Sequence, residues 1–152
     1  MSEANQVAAL TPHLVCKGAA EAIEFYKEAF GAQEIMRVPG PNGALMHAAI
    51  SVNGTSVFLV DENAECGMLS PLSLGGSPVT FNVGVKDVDA SLSRAEAAGA
   101  TVTMPAADQF WGDRYGMIRD PFGHNWAFAA PIRQMSESEL REAAAEFAGC
   151  AA

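Results

Sequence analysis

The chain has 152 residues, of which 49% are hydrophobic and 18% charged, with a formal net charge of −9. This composition is typical of a folded globular protein, and the length suits one compact domain or two small modules. The acidic excess disfavours a nucleic acid or an anionic membrane as a partner, since both require a basic surface. We expect a cytoplasmic location, because no secretory leader or membrane-spanning run is recognisable in the sequence.

We expect a flexible arm at residues 1–9, followed by a first module at residues 10–62. The sequence pattern of this module predicts the element order β-α-β-β-β. Apolar residues at helical spacing predict a helix over residues 19–30, which Gly31 would end in a left-handed conformation. The Asn53-Gly54 pair between two β-rich runs predicts a tight hairpin. The expected strands are residues 11–16, 34–38, 45–52 and 55–60.

The second module, residues 78–131, repeats this order after a linker at residues 63–77. Its helix is predicted over residues 88–98, and the glycine that ends it, Gly99, lies 68 positions after Gly31. This periodicity indicates a duplication. Ser136 and Glu139 form a capping box that predicts a helix over 136–147, within a C-terminal segment at 132–152. The expected strands are residues 79–85, 101–104, 115–119 and 125–129, with 105–114 irregular.

Short motifs in this duplicated order resemble the vicinal oxygen chelate superfamily, in particular its glyoxalase/bleomycin-resistance-like branch, which includes PhnB-like proteins. The motifs are Phe25-Tyr26 before Phe30-Gly31-Ala32, then Phe-Trp-Gly-Asp-Arg-Tyr-Gly at 110–116, then Asp-Pro-Phe-Gly-His at 120–124. The resemblance covers residues 10–131. It implies an α+β fold in which two βαβββ modules form an eight-stranded cup with outer helices, plus the C-terminal helix.

The resemblance also implies what the cup is for. Its concave face would hold a substrate, a metal or a drug, and in many members of the superfamily a homodimer completes it. A homodimer is expected here as well, since a small cup leaves strand edges and aromatic side chains that a second copy would cover.

The superfamily's enzymes bind a divalent metal through side chains on the first and fourth strands of each module. The resemblance assigns these positions to Thr11, Leu59, Thr80 and Ala127. A divalent metal prefers imidazole nitrogens or carboxylate oxygens, and Leu59 and Ala127 carry neither. We therefore expect no metal site and no cofactor at these positions.

Two histidines leave a different metal site open. Strand alternation puts His13 and His47 on the concave face, where either could also transfer a proton. With Asp61 or Glu62, just beyond the fourth strand, the two imidazoles could hold a divalent metal. A polar cup lined by unligated histidines is the commoner arrangement.

Residues 110–115 bring together aromatic and hydrogen-bonding groups. Trp111 and Tyr115 would stack on a flat ligand, and Arg114 would bind a carboxylate or phosphate. Alternatively, this stretch is a structural or dimer-contact loop with an internal pair between Asp113 and Arg114. Asn82 and Asn125 either orient the ligand by hydrogen bonds or satisfy backbone groups. The predicted ligand-binding residues are His13, His47, Leu59, Asn82, Trp111, Arg114, Tyr115 and Asn125.

Two functions from different classes follow. The first is a binding protein of the glyoxalase/bleomycin-resistance type, which holds a small molecule or drug without consuming it. The second is a lyase, isomerase or dioxygenase of the same superfamily, such as a glyoxalase I-like enzyme, acting in the same cup. The missing donors at Leu59 and Ala127 favour the first function, and no catalytic residue is assigned.

Overall fold

The computed structural model describes residues 7–8 and 10–147. Most of the predicted arm at 1–9 and the end of the tail, 148–152, lie outside the described residues. The chain divides into two compact units, the first ending at Gly76 and the second beginning at Ser77. Each unit carries a four-stranded mixed sheet and helices, which confirms the predicted α+β class.

The first unit follows the predicted β-α-β-β-β order. Its sheet has the strand order β1-β4-β3-β2, with β1 parallel to β4 and the other pairs antiparallel. A short helix, α2, follows the sheet. The elements are β1 (His13–Cys16), α1 (Ala19–Phe30), β2 (Gln33–Pro39), β3 (Leu45–Val52), β4 (Thr55–Asp61) and α2 (Pro71–Leu74).

One face of this sheet packs against α1. Leu14, Ala48 and Leu59 lie side by side in register and are each at most 1% exposed. Arg37 of β2 pairs with Ala48 in the same row, and its guanidinium contacts the Glu24 carboxylate of α1 at 3.3 Å. Because side chains alternate along a strand, every second residue counted from this row faces α1, and the residues between them face the opposite side.

The second unit repeats the topology of the first. Its sheet order is β5-β8-β7-β6, with β5 parallel to β8, so the predicted repeat is confirmed at the level of strand order. The capping box predicted at Ser136 and Glu139 is formed. The elements are β5 (Thr80–Gly84), α3 (Val88–Ala98), β6 (Thr101–Asp108), β7 (Asp113–Arg119), β8 (Asn125–Pro131) and α4 (Glu137–Glu146).

In the second sheet, α3 covers one face in the same way. Ile118 and Trp126 pair in register and are buried, and Gly116, two residues before Ile118, lies against Leu92 of α3. A Cβ on Gly116 would stand 2.4 Å from Leu92 Cδ1 and 3.2 Å from the Met104 backbone oxygen, so a larger residue would displace the Leu92 side chain and crowd β6.

The prediction of an irregular segment at 105–114 is wrong over most of its length. β6 continues to Asp108 and β7 already begins at Asp113, which leaves a short connection between them. β6 is an edge strand with two register shifts, and an edge strand accommodates Pro105 because its outer side needs no ladder hydrogen bond.

Two smaller differences concern the first unit. β1 begins at His13, so Thr11 precedes the strand in which it was predicted. The stretch predicted as an irregular linker contains α2 and a turn of 3₁₀ helix at Ala64–Cys66. Glu62 stabilises this stretch by accepting hydrogen bonds from the Ser70 backbone N–H at 2.8 Å and the Ser70 hydroxyl at 3.0 Å.

Candidate functional site

The face of the first sheet opposite α1 carries a cluster of three rings, which we call the histidine cluster: His13, His47 and Phe58. They come from β1, β3 and β4. The register brings them together because Phe58 pairs with His13 on one side and with Ala49, two residues after His47, on the other. The ring centroids of His13 and His47 are 6.2 Å apart, and Phe58 lies 6.0 Å from His13 and 4.8 Å from His47, all edge to face.

The two imidazoles keep their hydrogen-bonding capacity. His13 is exposed and His47 half-buried, and neither forms a hydrogen bond or an ion pair with any other described residue. Each neutral imidazole offers one donor and one acceptor nitrogen, so the cluster can bind a polar group or exchange a proton with one. Both histidines were predicted from the sequence, but Phe58 was not, because strand pairing, not residue spacing, brings it to them.

The carboxylates proposed to complete a metal site with these histidines have other partners. Asp61 Oδ1 accepts hydrogen bonds from the backbone N–H groups of Gly18 (3.2 Å) and Ala19 (2.8 Å), and Oδ2 accepts one from Leu45 (2.6 Å). Asp61 thereby caps α1, whose own N-cap residue, Gly18, has no side chain to do so. Glu62 is held by Ser70, and the hydrogen bond from the Ser70 backbone lowers the pKa of this carboxyl.

The residues described do not fit the divalent metal that the resemblance implies. Among residues 7–8 and 10–147, no group of three or more His, Cys, Asp and Glu side chains is arranged to hold a metal ion. Leu59 and Ala127 are fully buried and carry no donor atom. Leu59 also lies on the α1 face, so the expectation that it lines one surface with His13 and His47 is wrong.

In the second unit, Trp111 and Tyr115, both predicted to stack on a ligand, lie together. Their ring centroids are 5.3 Å apart, edge to face, and the Trp111 indole N–H donates to Asp113 Oδ2 at 3.1 Å. Both aromatic residues are half-buried. Burial raises the pKa of the Tyr115 phenol, so Tyr115 is a neutral hydroxyl at physiological pH and can donate or accept a hydrogen bond.

Arg114 does not belong to this group. Its guanidinium forms a two-pronged pair with the Asp89 carboxylate of α3, at 2.7 and 2.9 Å, and contacts Asp108 at 2.9 Å. It therefore lies on the α3 face, whereas its neighbour Tyr115 lies on the opposite face. The expected arrangement of Arg114 beside Trp111 and Tyr115 is wrong, and so is the alternative pairing of Arg114 with Asp113.

The two asparagines differ in their surroundings. Asn82 is exposed and pairs in register with Ala127, on the face opposite α3. Asn125 donates its side-chain N–H to the backbone carbonyls of Ser77 (3.1 Å) and Val79 (3.5 Å). Asn125 thus fixes the entry into β5, which is the structural alternative considered for it from the sequence.

The first unit also contains a cavity that no sequence pattern predicted. Its volume is about 480 Å³, within the range of small-molecule pockets. The cavity lies where β3 begins and β4 ends, and none of the predicted ligand-binding residues lines it. Its walls include Leu45, Met46, Val60, Cys66 and Met68.

The model of the Glyoxalase/Bleomycin resistance protein/Dioxygenase superfamily matches residues 5–128. The match covers both sheets almost completely, and the chain therefore belongs to this superfamily.

Individual proteins are also similar to this chain. The uncharacterized protein Rv0887c of Mycobacterium tuberculosis is 51% identical over 142 residues, which is 91% of this chain and 84% of the relative. The protein At5g48480 of Arabidopsis thaliana is 34% identical over 117 residues, 72% of this chain and 69% of the relative. Its crystal structure superimposes with a TM-score of 0.67 and covers 82% of this chain and 99% of its own.

TioX from Micromonospora sp. ML1 is also similar in structure. It has a TM-score of 0.64 at 26% identity, covering 83% of this chain and all of its own. Within residues 7–8 and 10–147, no helix is long and apolar enough to cross a membrane.

Proposed function

We propose that this protein binds a small molecule or drug on the face of each sheet opposite its helix, α1 in the first unit and α3 in the second, without a metal ion and without consuming the ligand. The observation that carries the proposal is the histidine cluster: two imidazoles 6.2 Å apart, without a hydrogen-bond partner among the described residues, on a sheet face opposite the helix. Polar groups left unpaired on a structured surface are suited to orient a ligand.

Each face, taken by itself, favours a flat, largely aromatic ligand with at least one polar group. In the first unit, Phe58 offers a ring surface for stacking, and His13 and His47 supply the hydrogen-bonding groups. In the second unit, the Trp111–Tyr115 pair offers the rings and the Tyr115 hydroxyl the hydrogen-bonding group. Arg114 is left out of the ligand-binding set because two carboxylates already hold it.

The same imidazoles support a second candidate function, a metal-free lyase or isomerase. A histidine on a ligand-binding face can take a proton from a carbon next to a carbonyl and return it elsewhere. Purified protein should be analysed for bound metal and assayed with the methylglyoxal–glutathione hemithioacetal, with and without added nickel or zinc. Turnover without metal would favour this function over binding alone; turnover with stoichiometric metal would contradict the metal-free assignment.

Ligand binding can be tested with a neutral aromatic dye, N-phenyl-1-naphthylamine, whose fluorescence rises in apolar sites, and with a thermal-shift screen of glycopeptide drugs, aromatic acids and thiol conjugates. A ligand that binds the native state raises the melting temperature by mass action. We expect His47→Ala and Trp111→Ala to weaken dye binding roughly three- to tenfold, the range of one lost aromatic or hydrogen-bonding contact.

Three control variants locate the site. Ser51 lies on the same face of β3 as His47 but at the other end of the strand, so Ser51→Ala should leave dye affinity unchanged. Arg114→Ala should lower the melting temperature without changing affinity. Cys66→Trp fills the cavity beside β3 and β4; if it abolishes binding while His47→Ala has no effect, the ligand lies in the cavity and the proposal fails.

A further inference from the structure

The segment after β8 returns to the loop that carries Trp111. The backbone N–H groups of Ile132 and Arg133 both donate to the carbonyl of Gly112, at 2.8 and 3.1 Å. Gly112 has a φ of 96°, and a Cβ there would stand 2.7 Å from the Arg133 carbonyl oxygen and 3.2 Å from Met135 Sδ. Glycine is therefore required both by the conformation and by the close approach of the returning chain.

Helix α4 then carries a second contact back to the same loop. The Ser136–Glu139 capping box starts the helix, and Phe147 directly follows its last residue. The Phe147 ring lies 4.8 Å from that of Phe110, and Phe110 lies 5.1 Å from Trp111. With Tyr115 next to Trp111, four aromatic rings form a continuous row from the end of α4 to the face opposite α3.

Among the described residues, α4 is only loosely attached. None of its residues is buried, Leu140 and Ala143 are half-buried, and a ten-residue helix is marginally stable on its own in water. Its position therefore depends mainly on the contacts at its two ends, at Gly112 and at Phe110. An element held by so few contacts can detach at a small free-energy cost.

We propose that the segment Ile132–Phe147 is a strap that holds Trp111 and Tyr115 in their ligand-binding positions. Phe147 and Gly112 are positioning residues: Phe147 contacts the loop at Phe110, Gly112 is the loop residue to which the strap is hydrogen-bonded, and the loop contacts the ligand. The proposal rests on the proposed function for the part that concerns ligands. A ligand that stacks on Trp111 would favour the docked strap, and a detached strap would weaken binding.

The position of Trp111 can be measured without any ligand. Acrylamide quenching of tryptophan fluorescence reports mainly on Trp111, since the only other tryptophan, Trp126, is 2% exposed. In Phe147→Ala we expect the quenching constant to rise roughly twofold, and amide exchange at Ile132 and Arg133 to accelerate roughly three- to tenfold, the effect of losing one aromatic pair. Phe147→Tyr should restore both values, and Glu146→Ala, on the same helix, should change neither.

The outcomes separate the strap from the proposed function. Unchanged quenching and exchange in folded Phe147→Ala would overturn the strap. If both rise while the affinity for N-phenyl-1-naphthylamine stays the same, the coupling to the binding site is wrong. If the wild type does not bind the dye or any screened compound, the proposed function fails, and quenching alone decides the strap. Should Phe147→Ala not fold, Phe147→Leu, which keeps an apolar contact without the ring, is judged by the same criteria.

Discussion

Several charged side chains that a sequence reader would assign to a binding site instead hold the sheets to their helices. Asp61 caps α1 and also anchors the start of β3, and Arg114 ties β7 to Asp89 of α3. A charged group with such partners is already satisfied, so a ligand would have to displace them. The groups left for ligands are therefore the less polar ones: imidazoles, a phenol and an indole.

Asp120 gives the strongest case of a structural carboxylate. It is 4% exposed, its Oδ1 accepts from the backbone N–H groups of Phe122 and His124, and its Oδ2 accepts from the Trp126 indole N–H at 2.9 Å. We expect Asp120→Ala to lower the free energy of unfolding by about 3 kcal/mol, because three buried donors lose this acceptor.

Asp120→Asn is the matched control, since it keeps one oxygen for the two backbone donors and turns an amide N–H toward Trp126. In Asp120→Asn the free energy of unfolding should fall by on the order of half as much as in Asp120→Ala. Urea denaturation of the three proteins measures the difference. Equal stability of Asp120→Ala and the wild type would show that the turn at 120–124 does not depend on this side chain.

Among the elements, the two long helices of the repeat were predicted with the bounds they have, Ala19–Phe30 and Val88–Ala98. Helical periodicity and a terminal glycine are local properties, so a sequence shows them directly. The partners of Arg114 are not local: Asp89 is 25 positions away and lies on a different element. The contact between Phe147 and Phe110 likewise joins distant parts of the chain, so no local sequence pattern predicts it or the proposed strap.

An ion-pair network joins α1 to the edge strand β2. Hydrogen bonds from Arg37 and then from Lys27 lower the pKa of Glu34 from its usual 4.5 to about 2. A carboxyl whose pKa is lower in the folded state stabilises the protein above its unfolded pKa, and this contribution is lost as the pH falls from 4.5 toward 2.

Glu34→Gln should therefore be less stable than the wild type at pH 7, by up to about 1 kcal/mol because the pairs lie at the surface. The difference in unfolding free energy between wild type and Glu34→Gln should shrink below pH 4.5 and vanish near pH 2. Denaturant titrations of both proteins across this range provide the measurement. A gap that does not change with pH would mean that the carboxylate charge of Glu34 is not what stabilises β2.

For the whole molecule, we expect a homodimer that covers β2. This strand is an edge of the first sheet, and it exposes Ile35 (57%), Met36 (46%) and Val38 (41%). Apolar side chains on an edge strand are typical of an interface, since an uncovered edge promotes uncontrolled association. Light scattering at micromolar concentration should give twice the chain mass of 15.9 kDa.

Ile35→Lys should shift the mass to that of one chain. Leu72→Lys, which changes an equally exposed apolar residue (53%) on α2, should leave the dimer intact. A wild-type monomer would contradict the proposed dimer, and dissociation by Leu72→Lys alone would move the interface to α2. The cytoplasmic location stays a prediction.

The strand order shared by the two sheets has a consequence for how the chain is made. In each sheet the last strand to be synthesised, β4 or β8, lies inside, between the first strand and the third. β1 must therefore wait for a partner 45 positions later, since His13 pairs with Phe58. Closing so long a loop is slow compared with forming a hairpin. As the chain leaves the ribosome, the β2–β3 and β6–β7 hairpins can form first, but neither sheet is complete until its final strand has emerged.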